Sequence, residues 1–198
     1  MSITEASSTK SSSPIRLSTK NLVLCGMFAA ILAAISQISI PMPTGVPITI
    51  QVFGVALIGA VLGWKLGLFA TLVYILIGAA GIPVFSGLRG GLAPLVGLAG
   101  GYIWAWPIMV MLCGIHFRTE NKKLNLALGI LCALIGLAID EIIGGVQWSL
   151  LSGGAMSLKA VFAYSMVAFI PKDIVITILA VVIGRQIRKP LYRAGYLE

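Results

Sequence analysis

The chain has 198 residues, of which 59% are hydrophobic and 10% are charged. An ordinary soluble domain is roughly 45–50% apolar and about 25% charged, so this composition excludes a typical soluble enzyme. The formal net charge of +8 would suit nucleic-acid binding only if the basic residues clustered on one surface, and along the sequence they do not. Long apolar runs with short polar interruptions instead predict an all-α polytopic membrane protein.

Residues 1–20 are rich in Ser and Thr and almost free of large apolar side chains, which predicts a flexible N-terminal tail. A membrane span needs about 20 apolar residues. Pro, Gly and charged residues divide 21–184 into six predicted transmembrane helices, and 185–198 form a second, basic tail. The predicted spans are 21–40, 48–63, 66–81, 101–117, 124–147 and 158–184.

The first span carries small residues at a spacing that lets helices approach closely. Ala29 with Ala33, and Ala30 with Ala34, form small-xxx-small pairs on adjoining strips of one face. Such a face either packs inside the protein or docks another membrane subunit.

Polar groups occur next in the second and third spans and in the stretch after them. Gln51 and Tyr74 can each donate and accept hydrogen bonds. Arg89 lies in the Gly- and Pro-rich stretch 82–100, which is too irregular to face lipid and should pack on protein or line a cavity. The guanidinium of Arg89 suits bidentate binding of a carboxylate. The alternative is that Arg89 is simply an exposed cation in a loop.

The fifth span contains the acidic pair Asp140-Glu141. A charge at bilayer depth costs at least about 2.5–3.5 kcal/mol on insertion scales, so such a residue suggests a function. Glu141, Gly145 and Trp148 share one helix face, which predicts a carboxylate and an aromatic wall around one ligand. The alternative is interfacial, with Trp148 among the headgroups and the acids reaching outward.

The sixth span contains Lys172-Asp173 directly after Pro171 and about 20 Å from Arg185. Proline removes a helical hydrogen bond, and a broken helix at membrane depth must be covered by protein or line a cavity. Adjacent helical residues point in different directions. We therefore expect Lys172 and Asp173 not to neutralise each other, and each to bind a ligand or pair with another span.

The positions of the basic residues predict the orientation. With six spans both termini share one side, and that side holds eleven of the 14 Lys and Arg residues. The positive-inside rule then puts both termini in the cytoplasm. The net charge is explained by topology and contact with anionic lipid, so we expect no nucleic-acid partner. The eleven residues are Lys10, Arg16, Lys20, Lys65, Arg118, Lys122, Lys123, Arg185, Arg188, Lys189 and Arg193.

Motifs for catalysis and metal binding are missing from the sequence. It contains no GxxxxGK[ST], HExxH or GxSxG pattern, and its three cysteines have no CxxC spacing. We expect neither enzymatic activity nor a metal or other cofactor. The polar residues favour capture of a small, polar-headed carboxylate from outside.

The stretch 47–107 closely resembles the BioY family, the biotin-specific S components of energy-coupling factor (ECF) transporters. The resemblance is densest in P-I-T-x-Q and Y-x-x-x-G-x-x-G-x-P-V-F and covers most of 21–184. It implies a six-helix S-component fold in a prokaryotic plasma membrane, high-affinity biotin capture near the outer surface, and assembly with a transmembrane coupling subunit and two cytoplasmic ATPases. It implies that the coupling subunit docks on Ala29, Ala30, Ala33 and Ala34.

Charge type, depth and this resemblance together predict how the polar groups of biotin are bound. Asp173 and Lys172 would bond the ureido ring, with help from Gln51 and Glu141. Arg89 would hold the valerate carboxylate.

Tyr74 and Trp148 would supply apolar walls for the thiophane ring. One position departs from the family pattern, in which the last helix carries Gly-Asp-x-x-Lys. Asp173 takes the place of the acid, but Ile176 takes that of the lysine. Either Lys172 serves from a neighbouring turn, or another group meets the polar atoms of the ligand.

Two alternatives stay open at the level of sequence. One is an S component for another vitamin, such as thiamine or riboflavin. The other is a small integral-membrane enzyme that acts on lipid, with Asp140, Glu141 and Asp173 as acid/base groups or metal ligands.

Overall fold

We describe residues 18–117 and 119–197 in a computed structural model. The predicted tail up to residue 17, and with it Lys10 and Arg16, lies outside the described residues, as does Arg118. The described part is mostly helical, with one two-stranded sheet. Its elements are α1 (Thr19–Ser36), β1 (Ser39–Ile40), β2 (Ile48–Thr49), α2 (Gln51–Leu62), α3 (Trp64–Ala79), α4 (Ala93–Val96), α5 (Gly100–Cys113), α6 (Lys122–Leu151), α7 (Leu158–Ala168) and α8 (Ile170–Arg193).

Three helices begin at polar side chains that cap free backbone N–H groups. Ser18 accepts a hydrogen bond from Asn21 N at 3.3 Å at the start of α1. Asn121 accepts two at the start of α6, and Ser157 accepts one at the start of α7. These caps fix helix starts that hydropathy alone places only within a few residues.

Length and hydropathy identify α1 and α6 as helices able to cross a membrane alone. A third candidate is the pair α7 and α8, which are bent by 54° at their junction. Apolar helices α2, α3 and α5 are shorter, with 12, 16 and 14 residues. The predicted spans correspond in position to these elements, and the count of six spans stays a prediction.

The first two predicted spans are too long. Residues assigned to their facing ends form β1 and β2, which pair antiparallel with Ser39 opposite Thr49 and Ile40 opposite Ile48. The connecting segment 41–47 contains three prolines, which cannot continue a helix. The hairpin therefore corrects the bounds of the first two predicted spans, and the described part of the chain is mostly helical, as the all-α prediction requires.

The last predicted span is broken as proline chemistry requires. Pro171 lies in the first turn of α8, where its missing N–H leaves no bond unmade. The bend at the α7–α8 junction confirms the predicted break. Beyond the predicted end of the span, α8 continues to Arg193, so much of the predicted basic tail is helical.

Helix α2 lies at the centre of the bundle, where it packs against α1, α3, α5 and α8. All of its residues except Phe53 are buried. Small residues permit this packing, since a Cβ on Gly59 would lie 2.5 Å from Val110 O and one on Gly184 would lie 2.6 Å from Ala60 Cβ. Close packing of small residues is the usual basis of helix association in membranes.

Candidate functional site

A cavity of about 210 Å³ lies at the end of the bundle where α2 begins. Helices α5 and α6 and the α7–α8 junction form its sides, and the β hairpin and the 82–100 stretch cover it. Of the two predicted positions for this stretch, packed on protein or lining a cavity, the structure shows that it lines the cavity. Five of the seven predicted site residues lie on the wall, namely Gln51, Arg89, Glu141, Lys172 and Asp173.

Tyr74 is not on the wall but directly behind it. Its side chain is 1% exposed, and its hydroxyl donates to Val84 O at 2.8 Å and lies 2.9 Å from Ser36 Oγ. The ring packs against Phe85 and Trp106, with centroids 5.6 and 5.9 Å away. Both of those aromatic residues line the cavity, so Tyr74 supports the wall.

Trp148 also lies outside the cavity lining. It is 1% exposed and packs against Tyr164 and Phe169, at 5.7 and 6.0 Å between centroids. Trp148 shares a helix face with Glu141, but seven residues of helix separate them by about 10 Å along the axis. The shared face therefore does not bring both side chains to one ligand.

The aromatic side chains that do line the cavity were not predicted from sequence. They come from three different segments, which are the 82–100 stretch, α5 and the α7–α8 junction, and no distinctive spacing marks them in the sequence. They are Phe85, Tyr102, Trp106 and Phe169.

Lys172 and Asp173 form an ion pair, with Nζ and Oδ1 2.5 Å apart. Lys172 Nζ also donates to Thr49 O at 2.7 Å, which ties α8 to the β hairpin. The expectation that these neighbours do not neutralise each other is wrong. The Cβ atoms of adjacent helical residues point in different directions, but the four-carbon lysine side chain is long and flexible enough to fold back.

The acidic pair of α6 faces the cavity, which excludes the interfacial alternative. Asp140 is fully buried and Glu141 is 5% exposed, and both line the wall. Neither carboxylate oxygen of Asp140 has a hydrogen-bond partner among the described residues, and the same holds for Trp106 Nε1. We call Asp140, Glu141, Tyr102 and Trp106 the acidic wall.

Residues 85–89, which we call the arginine loop, form a tight turn at the cavity mouth. Phe85 N donates to Arg89 O at 3.0 Å, and Arg89 N donates to Phe85 O at 3.3 Å. Arg89 Nε donates to Ser86 O at 3.0 Å. The Arg89 side chain is thus oriented at an exposed position that borders the cavity.

Gln37, at the end of α1, holds the arginine loop and was not predicted from sequence. Its Oε1 accepts a hydrogen bond from Leu88 N at 2.9 Å. Its Nε2 donates to Val84 O and Phe85 O, each at 3.3 Å. Leu88 has a φ of 54°, which is costly for a residue other than glycine, so the bonds to Gln37 stabilise a strained backbone.

The structure separates the four alanines of α1. Ala29 is buried, Ala33 is half-buried, and Ala30 and Ala34 are exposed. One strip of the small-residue face therefore packs inside the protein and the other is free on its surface.

Apolar helices around a partly charged internal cavity define a membrane protein that binds a small polar solute. The profile of the BioY family matches residues 7–193, and the chain belongs to that family.

Two named relatives match this chain over nearly their whole length. A probable biotin transporter BioY of Pyrococcus horikoshii is 38% identical over 85% of this chain and 96% of its own. A biotin transporter BioY of Rhodobacter capsulatus is 36% identical over 90% and 97%. Among solved structures, the S-component for biotin from an ECF-type ABC transporter superposes with a TM-score of 0.74 at 30% identity, over 86% of this chain and 91% of that one. The resemblance noted from sequence is confirmed.

Proposed function

We propose that this protein is the substrate-binding S component of an ECF-type importer and that its substrate is biotin. The observation that carries this proposal is the cavity, which has a guanidinium at its mouth and hydrogen-bonding groups of both kinds inside. Biotin carries a carboxylate at one end and a cyclic urea at the other. Family membership and the naming of the relatives support biotin over thiamine or riboflavin.

Arg89 would bind the valerate carboxylate. Its Nε is engaged by Ser86 O, which leaves the two terminal nitrogens as the fork that a carboxylate prefers. Because the side chain lies at the mouth of the cavity, biotin would enter with its ring first.

Lys172 would donate a hydrogen bond to the ureido ring and Asp173 would accept one. Gln51 and Glu141, which also line the cavity, would assist. Lys172 and Asp173 are already paired, so the cavity gains both polarities without an uncompensated buried charge. Lys172 thereby provides a lysine close to the acid although Ile176 stands where the family pattern has one. Tyr102, Trp106 and Phe169 would flank the apolar part of biotin.

Titration of the detergent-purified protein with biotin and with biotin amide tests this function. We expect tight binding of biotin and at least tenfold weaker binding of the amide, because the amide cannot pair with a guanidinium. Folded protein that does not bind biotin would contradict the proposal, and a thermal-shift screen with thiamine and riboflavin would then follow.

The lipid-enzyme alternative has less support. The family is one of transporters, and the described residues contain no group of three or more His, Cys, Asp or Glu placed to hold a metal ion. We propose that biotin is a transported ligand and that the protein has neither a cofactor nor a catalytic role.

The exposed alanine strip of α1 would dock the transmembrane coupling subunit, which in turn would join two cytoplasmic ATPases. Ala30 and Ala34 are exposed in a helix long enough to cross the membrane, with both termini proposed to lie in the cytoplasm of a prokaryotic cell.

Co-purification with co-expressed coupling and ATPase subunits tests this docking. Ala30→Trp with Ala34→Trp should abolish complex recovery and leave biotin binding unchanged, because a large side chain prevents close helix approach. The matched control is Val167→Trp on α7, a position that is 82% exposed. Full recovery with the alanine variants would contradict docking at this strip.

A further inference from the structure

Asp140 lines the cavity, but the proposed site gives it no role. It is fully buried, it lines the cavity, and neither of its carboxylate oxygens has a partner among the described residues. Asp173, by contrast, is neutralised by Lys172. A buried polar group without a partner is unfavourable, so Asp140 points to a ligand that supplies one.

The ionised form of Asp140 fits this position poorly. A buried carboxylate without a counter-ion is strongly unfavourable, and the carboxyl of the neighbouring Glu141 lines the same cavity. The cation inside the cavity, Lys172, is already committed to Asp173 and Thr49. The protonated carboxyl avoids this cost, and it carries one donor and one acceptor side by side.

A cyclic urea presents the complementary edge, an N–H beside a C=O. We propose that protonated Asp140 is a specificity-determining residue that recognises this edge by two antiparallel hydrogen bonds. The Asp140 hydroxyl donates to the urea oxygen and the Asp140 carbonyl oxygen accepts the adjacent N–H. This inference rests on the proposed function and adds a residue to it.

The other edge of the urea remains for the ion pair. Asp173 accepts the second N–H, and Lys172 donates to the urea oxygen, which has two lone pairs. The neutral carboxyl of Asp140 thus approaches the ring from α6, and the Lys172–Asp173 ion pair approaches it from α8. These two helices pack against each other. Every polar atom of the ring then has a partner, as burial requires.

Two substitutions at Asp140 separate hydrogen bonding from charge. Asp140→Asn keeps a donor and an acceptor in the same positions, so we expect biotin affinity within threefold of the wild type. Asp140→Leu has similar volume and no polar atom, so we expect biotin to bind at least tenfold more weakly. If Asp140 binds as an anion, Asn would lose affinity as strongly as Leu, which would overturn the proposal.

Ligand analogues provide a second, independent readout. Desthiobiotin keeps the urea. The Asp140→Leu substitution should therefore weaken the binding of desthiobiotin by the same factor as the binding of biotin. Protonated 2-iminobiotin has only donors on its guanidinium ring, so the wild type should bind it at least tenfold more weakly than biotin. The difference in affinity between the two ligands should be smaller for Asp140→Leu than for the wild type. Wild-type protein that prefers 2-iminobiotin would show an ionised Asp140 and overturn the proposal.

Thermal unfolding in detergent distinguishes recognition from a structural role. Without ligand, Asp140→Leu should unfold at the same or a higher temperature than the wild type, because a buried unpaired polar group is replaced by an apolar one. Biotin should raise the unfolding temperature of Asp140→Leu by less than it raises that of the wild type. A lowered temperature without ligand, together with an unchanged biotin effect, would assign Asp140 a purely structural role.

The outcome also separates this inference from the proposed function. A wild type that binds biotin and an Asp140→Leu variant that binds it equally well would overturn the role of Asp140 alone. A folded wild type that does not bind biotin would overturn both.

Discussion

The two ends of the cavity are built differently. At the arginine loop the backbone is held by partners within the protein, from Gln37 on one side and from Phe85 and Ser86 within the turn. At the acidic wall, Asp140 and Trp106 carry buried polar atoms without partners among the described residues. The loop is therefore held in place by the protein itself, whereas we propose that the ligand supplies the missing partners of the acidic wall. The first arrangement favours fast, charge-guided capture, and the second favours specificity, because a ligand lacking the right groups leaves polar atoms unpaired.

Removing the charge at the mouth should have the largest effect. Arg89→Gln should raise the dissociation constant of biotin about 10- to 100-fold, because hydrogen bonds to charged groups contribute roughly 1.5–3 kcal/mol. Calorimetric titration with biotin and its amide measures the change, and the variant should no longer distinguish the two. The matched control is Lys159→Gln, because Lys159 is an exposed cation on α7 that does not line the cavity. Continued preference for the acid would contradict carboxylate binding at Arg89.

Removing the charge of Asp173, which is paired with Lys172, should have the second-largest effect. Asp173→Asn should raise the dissociation constant of biotin at least tenfold, equivalent to about 1.4 kcal/mol. The expected loss arises because Asn retains an acceptor but leaves Lys172 without its counter-charge. Equilibrium binding of biotin measures this loss. Unchanged affinity would remove Asp173 from the site.

Loosening the arginine loop from behind should have an intermediate effect. Gln37→Leu removes the bonds to Leu88 N and Phe85 O and should weaken biotin binding about three- to tenfold, consistent with roughly 1 kcal/mol for a hydrogen bond. If Gln37 acts by positioning Arg89, the effect should vanish in an Arg89→Gln background, as a double-mutant cycle measures.

A second glutamine provides the control for that cycle. Gln147 Nε2 donates to Gly97 O at 2.9 Å, on a segment of the cavity cover away from the arginine loop. The effect of Gln147→Leu should be the same with and without Arg89. Equal coupling of both glutamines to Arg89 would contradict a specific role for Gln37.

The smallest effect on binding is expected at Tyr74, which lies behind both ends. Tyr74→Phe removes the bonds to Ser36 and Val84 O and should lower the free energy of unfolding by about 1–3 kcal/mol, because Ser36 and Val84 O lose a buried partner. Biotin affinity should change less than threefold. Denaturant unfolding in mild detergent and biotin titration measure the two quantities. A large loss of biotin affinity with unchanged stability would instead indicate that Tyr74 contacts the ligand.

Sequence was sufficient for those features that depend on local chemistry. Hydropathy placed the helical segments, and Pro171 placed the break before α8. Intramembrane charge identified Glu141, Lys172 and Asp173 as residues of interest, and each lines the cavity. These inferences succeeded because a buried charge or a proline carries the same energetic cost in any helical membrane protein.

Other features failed because they depend on rotation, depth and side-chain reach. Trp148 shares a face with Glu141 but lies two turns away, and Lys172 folds back onto its neighbour. Gln37 lies 51 residues from Leu88, which it holds, and no local pattern announces that contact.

The sequence by itself determined a helical membrane protein, its family and several of the charged residues that line its cavity. Apolar length, proline breaks and family motifs are written in consecutive residues, so they need no tertiary information. Only the tertiary structure decided that Asp140 faces the cavity without a partner, that Tyr74 and Trp148 stand behind its wall, and that Gln37 holds the arginine loop. Those facts depend on which helices meet and at what depth, and packing between distant segments sets both.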